Sequence, residues 1–125
     1  MIEDMQNLVN ADFSLVHRGR WVNLTFVLGI DEDDYFITIS AGKITNIRQR
    51  HLPTDTGKFS IRASAKSWAK HWQAVPPRDY HDIFAMLPKQ IVKIDGTLEP
   101  LMQNLQYFKD IIATLRCREG NKNDS

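Results

Sequence analysis

The chain has 125 residues, of which 42% are hydrophobic and 25% are charged. This length suits a single domain with its own core, and the formal net charge of +1 excludes a strong global field toward nucleic acid or an anionic membrane. Cys117 is the single cysteine, so the chain cannot form an internal disulfide. We expect a cytoplasmic protein without a secretory signal or a transmembrane segment.

The first part of the chain contains one helical pattern and several alternating ones. Residues 2–10 place apolar side chains at three- and four-residue steps, which predicts a short helix. Residues 13–17 are interpreted as a first strand. Over residues 21–30 the period is two, and one side of the predicted strand carries only Val22, Leu24, Phe26, Leu28 and Ile30. Residues 35–40 and 43–48 continue the alternation and predict two more strands, joined by a tight turn.

Two charged clusters lie at the ends of these strands. The acidic cluster of residues 31–34 is interpreted as a solvated hairpin tip, since it lacks the glycine and the later glutamate of an EF-hand calcium loop. Arg48, Arg50 and His51 form a small basic cluster without interleaved aromatic residues, which favours a solvated loop over a phosphate site.

The middle of the chain predicts a strand and two short helices. Residues 58–63 alternate, and Ser64 follows them as a helix N-cap. One face of the helix that follows carries Ala65, Trp68, Ala69 and Trp72. Asp79 and Asp82 are spaced as in a capping box and predict a second helix, which ends at Pro88.

The C-terminal part predicts a strand over residues 90–95, a turn at Gly96 and one long closing helix. Thr97 is expected to cap this helix, and Pro100 lies in its first turn, where a missing N–H costs little. The continuous apolar stripe of the helix consists of Leu98, Leu101, Met102, Leu105, Phe108, Ile112 and Leu115. Residues 117–125 are expected to form a disordered tail, which leaves residues 1–116 as one domain.

The closing helix needs an apolar surface to pack on, and the alternating strands supply one. The order of the elements therefore predicts an α+β fold, in which helices cover one face of a mainly antiparallel sheet. The many large apolar side chains of residues 68–108 have two interpretations. They fill a packed core, or the tryptophan helix and its successor form a mobile cover over an apolar cavity.

Residue types that carry catalysis or bind metals are scattered along the chain. The glycines occur singly, and the four histidines have no ligand spacing. His71 and His81 with Asp79 and Asp82 allow a histidine–aspartate general base, or alternatively two helix-capping aspartates with both histidines at the solvent side or the rim of the helix. The second interpretation is the simpler one. We therefore expect no catalytic residue, no metal site and no cofactor.

Three stretches carry a resemblance to a known family: residues 41–44 (AGKI), residues 59–64 (FSIRAS) and residues 89–98 (KQIVKIDGTL). In the third stretch a lysine-rich, β-branched strand ends in a polar residue and a glycine, and a leucine-rich helix follows. From residue 21 to residue 115 the chain resembles the sterol carrier protein 2-like (SCP2 sterol-transfer) domain family.

The resemblance implies a five-stranded, mainly antiparallel sheet, with an apolar tunnel between the sheet and the helices that holds fatty acyl chains, sterols or other lipids. It brings no set of catalytic residues. Some bacterial relatives in this family serve quinone biosynthesis by holding isoprenoid intermediates. Residues 68–88 are richer in tryptophan, histidine and proline than the family pattern, which leaves the shape of the tunnel and the identity of its guest open.

The sequence thus predicts non-enzymatic binding and transfer, or sequestration, of an apolar small molecule of the fatty acyl, sterol or isoprenoid class. The side chains expected to line the site are Phe26, Leu28, Trp68, Trp72, Phe84, Met86, Leu101, Met102, Leu105 and Phe108. One alternative is a protein-interaction or accessory subunit of a lipid or quinone biosynthetic assembly, or a homodimer. An isomerase or cyclase is disfavoured, because such folds usually begin with long helices and close with curved strands.

Overall fold

A computed structural model describes residues 2–49 and 57–116 of the chain. Cys117, the predicted tail, and Arg50 and His51 of the basic cluster lie outside the described residues. The elements in chain order are α1 (Asp4–Ala11), α2 (Phe13–Arg18), β1 (Asn23–Ile30), β2 (Asp33–Ser40), β3 (Lys43–Gln49), β4 (Phe59–Ala63), α3 (Ala65–His71), α4 (Ile83–Met86), β5 (Val92–Gly96), α5 (Glu99–Gln103) and α6 (Leu105–Ala113). Within the two described ranges, every helix is too short or too polar to cross a membrane.

The five strands form one sheet in the order β3-β2-β1-β4-β5. β1, β2 and β3 form the predicted antiparallel meander, and β4 pairs antiparallel with β5. β4 lies parallel to β1, with Leu28 opposite Ile61. The predicted α+β fold with a mainly antiparallel sheet is confirmed, and the β1–β4 pair makes the sheet a mixed one.

The core lies between one face of the sheet and α6. Phe26 of β1, Phe59 of β4 and Phe108 of α6 meet there, with ring centroids 5.1, 5.3 and 5.5 Å apart. All three rings are fully buried. The period of two explains why β1 contributes to this core, since every second residue of a strand points to the same face.

Residues Phe13–Arg18 form the helix α2, so the predicted strand at residues 13–17 is wrong. The Asp12 side chain accepts a hydrogen bond from Leu15 N at 3.0 Å and caps the helix. Leu15 is buried, whereas Phe13 is 88% exposed. In a strand these two residues would share a face, but a two-residue step in a helix places them on different sides.

The acidic cluster at the β1–β2 turn has structural contacts, so the prediction of a solvated tip is wrong for part of it. Asp34 is only 8% exposed and forms an ion pair with Arg62. The Arg62 side chain passes over β1 at Gly29, where an added Cβ would lie 2.6 Å from Arg62 Cγ. Asp31 accepts a hydrogen bond from Ala65 N at 2.8 Å, which fixes the start of α3.

The predicted long closing helix is two helices, α5 and α6. Asn104 separates them with a φ of −125° and a ψ of 37°, which are not helical values. Leu98 and Met102 are exposed, the latter by 53%, so the prediction that they belong to one continuous buried stripe is wrong. The N-cap of α5 is Leu98 and not Thr97, while Pro100 lies in the first turn as predicted.

Candidate functional site

A cavity of about 450 Å³ lies at the end of the sheet where β1 turns into β2. α3 forms one of its walls, and the residues before α1 complete it. The cavity is lined by Ile2, Glu3, Ile30, Tyr35, Ala65, Trp68, Ala69, Trp72 and Gln73. Its volume falls within the ~300–1,000 Å³ that is typical of small-molecule sites.

The face of α3 toward the cavity alternates small and large side chains. Ala65 and Ala69 leave space beside the helix, and the rings of Trp68 and Trp72 bound that space. Ser64 caps the helix as predicted, with its side chain accepting a backbone N–H of the first turn. The spacing of the alanines and tryptophans predicts that they share one face of the helix. The structure shows in addition that the small alanine side chains leave the space of the cavity.

Both indole rings of this face are tied to neighbouring elements. Their centroids are 5.3 Å apart, with 17° between the ring planes. Trp68 Nε1 donates a hydrogen bond to the Gly29 carbonyl oxygen of β1 at 2.8 Å, and Trp72 Nε1 donates to that of Ile112 in α6 at 2.9 Å. Both N–H groups are therefore satisfied, and the rings form a buried apolar wall of the cavity. A mobile cover, one of the two interpretations of this helix, would have to break both bonds.

The polar side chains in the lining are those of Glu3, Tyr35 and Gln73. Glu3 and Gln73 are exposed, and Tyr35 is half-buried. Glu3 and Gln73 therefore lie where the cavity opens to solvent, as do the exposed Ala65 and Ala69. An apolar interior with a few polar groups at its opening suits a molecule that has a polar end and an apolar body.

The ten predicted site residues lie in four different environments. Trp68 and Trp72 line the cavity. Phe84 and Leu105 are partly buried at the edge of the core, and Met102 is exposed. The remaining five are buried in the core itself: Phe26, Leu28, Met86, Leu101 and Phe108. The phenyl rings of that core occupy the space between sheet and α6, where the resemblance implies a tunnel.

Ile2, Ile30 and Tyr35 line the cavity but are not among the predicted site residues. Ile30 and Tyr35 continue the core-facing alternation of β1 and β2 to the ends of these strands, so the same pattern could have pointed to them. Nothing in the sequence connects Ile2 with them, because that contact arises only when the segment before α1 packs onto the sheet.

A smaller cavity of about 170 Å³ lies beside the histidine–aspartate cluster. His71 is only 2% exposed, so the prediction that both histidines lie at the solvent side or the rim of the helix is wrong for His71. Its Nδ1 is 2.7 Å from the Tyr80 carbonyl oxygen, and among the described residues its Nε2 has no hydrogen-bond partner. Asp82 forms an ion pair with Lys109 at 2.7 Å. The closest polar contacts of His71 and Asp82 are therefore with other groups, and not with each other.

The contacts of this cluster are structural. Asp82 caps α4 by accepting a hydrogen bond from Phe84 N at 2.7 Å. Asp79 has a φ of 74° and belongs to the preceding turn, so the predicted capping box is wrong for this residue. Arg116 donates hydrogen bonds to the carbonyl oxygens of His71 and His81, each at 3.0 Å. These bonds join the end of α3, the segment before α4 and the residues after α6.

Acidification is expected to destabilise the fold through His71. Burial lowers the pKa of His71; the bond to the Tyr80 carbonyl oxygen opposes this shift, and the charge of Arg116 adds to it. The unfolded chain therefore binds a proton on this side chain at a higher pH than the folded protein does. Stability is complete above the ordinary pKa of about 6.5 and decreases as the pH falls below it, by at most about 1.4 kcal/mol per pH unit for one group.

Urea unfolding at about pH 7.5 and about pH 5.5, on either side of the ordinary histidine pKa, measures this effect. His71→Gln is expected to reduce the loss of stability between the two pH values. His81→Gln, at an exposed position of the same cluster, serves as the control and should leave the loss unchanged. An equal loss in the wild type and in His71→Gln would contradict the role of His71.

The fold is found among solved structures. The chain is similar to sterol carrier protein 2, with a TM-score of 0.72 and 10% identity over 91% of this chain and 92% of that one. It is similar to a conserved hypothetical protein of Thermus thermophilus, with a TM-score of 0.63 and 9% identity over 94% of this chain and 87% of that one.

A further similar structure is that of the UbiJ-SCP2 ubiquinone synthesis protein, with a TM-score of 0.60 and 11% identity over 90% of each chain. No protein-family model and no curated protein sequence matches the chain. Likeness at these identities is likeness of fold. The chain has the fold of sterol carrier protein 2, so the resemblance predicted from the sequence is confirmed at that level.

Proposed function

We propose that this protein binds an apolar small molecule of the fatty acyl, sterol or isoprenoid class without chemical turnover, and transfers or sequesters it. The observation that carries the proposal is the cavity of about 450 Å³ walled by the Trp68 and Trp72 rings. Both indole N–H groups are bonded to main-chain carbonyl groups, so this wall of the cavity presents no unsatisfied indole donor. This role fits the cytoplasmic location predicted from the cysteine content.

The names of the similar structures support the same class of ligand. Two of them are described as a sterol carrier protein and as a ubiquinone synthesis protein. Sterols and ubiquinone are both molecules with a large apolar body. Burying such a body contributes roughly 25 cal/mol per Å² of apolar surface, so a cavity with few polar groups is sufficient for binding.

Trp68 and Trp72 are the contacts that we propose for the part of the ligand in the cavity. A longer ligand would extend toward the core between sheet and α6. The side chains proposed to meet it in this core or at its edge are Phe26, Leu28, Phe84, Met86, Leu101, Leu105 and Phe108, together with the exposed Met102 of α5. For this, the packed phenyl rings of the core would have to separate.

Tryptophan fluorescence tests the binding in a Trp21→Phe background. Trp21 is 81% exposed and does not line the cavity, so its removal leaves the two cavity tryptophans as reporters. A saturable change in emission is expected with at least one of three probes, namely palmitate, cholesterol and farnesol. Emission that stays flat with all three probes at protein-excess and ligand-excess ratios would refute the proposal.

A substitution within the cavity provides the structural control. Ala69→Phe fills the cavity from an exposed position of α3 and should abolish the fluorescence change while the protein remains folded. Lys66→Phe adds the same ring at an exposed position of the same helix that does not line the cavity. Binding that survives in Ala69→Phe would place the ligand elsewhere.

We infer a role as an accessory subunit of a lipid or quinone biosynthetic assembly, or as a homodimer, as the second candidate. It is favoured by the likeness to a ubiquinone synthesis protein and by two exposed aromatic side chains, Phe13 and Trp21. Trp68 is buried, so it is not the contact for a partner. If this role holds, Trp21→Ala should weaken association measured by sedimentation or co-purification, and should leave the ligand titration unchanged.

A further inference from the structure

The two edges of the sheet differ in how the fold covers them. β3 and β5 are the outer strands. At the edge of β3, the Asn10 side chain of α1 accepts a hydrogen bond from Ile44 N at 2.8 Å and donates one to Ile44 O at 2.9 Å. β5 pairs with β4 on one side, and within residues 2–49 and 57–116 no further strand lies on its other side. An open edge of this kind can pair with a strand of another molecule.

The hydrogen bonds of β4 show which main-chain groups of β5 point outward. Ala63 O accepts a bond from Asp31 N at 3.0 Å, so the main-chain groups of Ala63 point toward β1. Main-chain direction alternates along a strand, so those of Arg62 point toward β5, where Arg62 lies opposite Lys93. The N–H and C=O groups of Ile94, the next residue, therefore point away from the sheet, at the middle of β5.

The side chains of β5 divide between the two faces of the sheet. Val92 is buried, and the half-buried Ile94 packs against the core. Lys93 and Asp95 lie on the opposite face, with 76% and 58% of their side chains exposed. The Lys93 Nζ and Asp95 Oδ2 atoms are 3.8 Å apart. The open edge thus carries one positive and one negative charge, two residues apart on the solvent face.

Two copies of β5 are complementary to each other in one antiparallel register. A two-fold axis at Ile94 places this residue opposite its own copy, so the two exchange main-chain hydrogen bonds. The same axis places Lys93 of each copy opposite Asp95 of the other, which gives two pairs of opposite charge. An axis one residue earlier would oppose the two lysines, and an axis one residue later the two aspartates. A lysine on an edge strand discourages pairing in general, but in the register around Ile94 the aspartate compensates its charge.

We propose that the protein forms a two-fold symmetric dimer through β5, in which the two sheets join into one continuous sheet. The partner is a second copy of this chain, because β5 itself supplies both the outward main-chain groups and the matching charges. The inference is independent of ligand binding, since no residue of β5 lines the cavity beside α3. The contact is also separate from Phe13 and Trp21, which are the contacts inferred above for a partner protein.

Sedimentation velocity over a concentration series tests the dimer. A dissociation constant of about 1–100 μM is expected for a contact of this small size. Lys93→Glu and Asp95→Lys each place two pairs of like charge across the axis, so each variant alone should weaken the dimer at least about tenfold. Lys66→Glu makes the same change of charge at an exposed position of α3 and should leave the dimer unchanged. Circular dichroism checks that all three variants are folded.

A mixture of Lys93→Glu and Asp95→Lys gives the sharper test. In a mixed dimer, both pairs across the axis again join opposite charges, although each variant opposes like charges in its own homodimer. The mixture should therefore dimerise at least about as tightly as the wild type, at a concentration where each variant alone is mainly a monomer. This rescue depends on the register around Ile94, because a different register would not bring positions 93 and 95 together.

Three outcomes would overturn the inference. The first is a wild-type protein that stays monomeric up to about 500 μM. The second is a dimer that both charge variants leave intact, above all one that Trp21→Ala weakens, which would place the interface at the Phe13 and Trp21 surface. The third is a mixture of the two charge variants that does not restore the dimer. The fluorescence titration measures ligand binding separately, so these outcomes leave the proposed function standing.

Discussion

Trp68→Ala is expected to lower the free energy of unfolding by about 3–5 kcal/mol and to abolish ligand binding in the cavity. Trp68 is fully buried and stacks on Trp72 at 5.3 Å. Its removal would leave a hole in the core and would leave the buried Gly29 carbonyl oxygen without the bond that it now accepts. Urea unfolding followed by circular dichroism measures the loss.

Two control variants separate the contributions of Trp68. Trp68→Phe keeps an aromatic ring but removes the indole N–H, so a smaller loss of about 1–3 kcal/mol is expected from the unpaired carbonyl group. Trp21→Ala removes a tryptophan from an exposed site and should change stability by no more than about 0.5 kcal/mol. Similar stability losses in Trp68→Ala and Trp21→Ala would contradict the position of Trp68.

Phe108→Ala is expected to cost about 3–5 kcal/mol, whereas Met102→Ala should cost about 0.5 kcal/mol or less. Phe108 is fully buried and packs edge-on against Phe26 at 5.5 Å and Phe59 at 5.1 Å. Met102 is exposed. The two residues belong to one apolar stripe in the sequence, so their difference tests the break between α5 and α6. Chemical unfolding of both variants in the same buffer gives the comparison.

A third substitution strengthens the test of this break. Leu101 lies next to Met102 but is fully buried, so Leu101→Ala should cost about 2–5 kcal/mol. If Leu101→Ala and Met102→Ala were equally destabilising, a continuous helix with a shared apolar stripe would describe the C-terminal segment better than two helices do.

Local patterns of the sequence were sufficient to predict the strands and their buried faces, but not every strand pairing. The alternation of apolar residues in β1 and β2 predicts which side of each strand is buried, because a strand has a period of two whatever its neighbours are. The turn at Ala41 and Gly42 fixes the antiparallel pairing of β2 with β3. The parallel pairing of β1 with β4 depends on the path of the chain over the whole sheet, and no local pattern encodes it.

Two predictions about helices were wrong, because in each case the local pattern was compatible with more than one structure. Phe13 and Leu15 match a strand as well as a helix over such a short segment, and the side chain of Asp12 decides the outcome by capping the helix. In the closing segment the apolar spacing is compatible with one helix. The bend at Asn104, whose side chain donates a hydrogen bond to the Pro100 carbonyl oxygen at 3.1 Å, changes the direction of the stripe.

The candidate site could be predicted only in part, because a cavity is defined by what its walls leave empty. The spacing of Ala65, Trp68, Ala69 and Trp72 predicts one common face of α3, and this face is a wall of the cavity. Large apolar side chains indicate a possible ligand site in the sequence. The volume of the cavity, however, depends on Ala65 and Ala69, because their side chains are small. Packed cores and cavities use the same apolar residues, so the core position of Phe26 could not be distinguished from a site position by sequence pattern.

The hydrogen bonds of the two tryptophans also affect the rates at which a ligand enters and leaves the cavity. α3 is bonded to β1 through Trp68 and to α6 through Trp72, so opening at this helix would require two buried bonds to break together. α1 is held at its far end, where the Asn10 amide exchanges two hydrogen bonds with the main chain of Ile44. Its near end, next to Ile2, borders the cavity directly. Loading and release rates are therefore expected to depend on the first turn of α1, and a cross-link that fixes this turn should slow exchange without changing affinity.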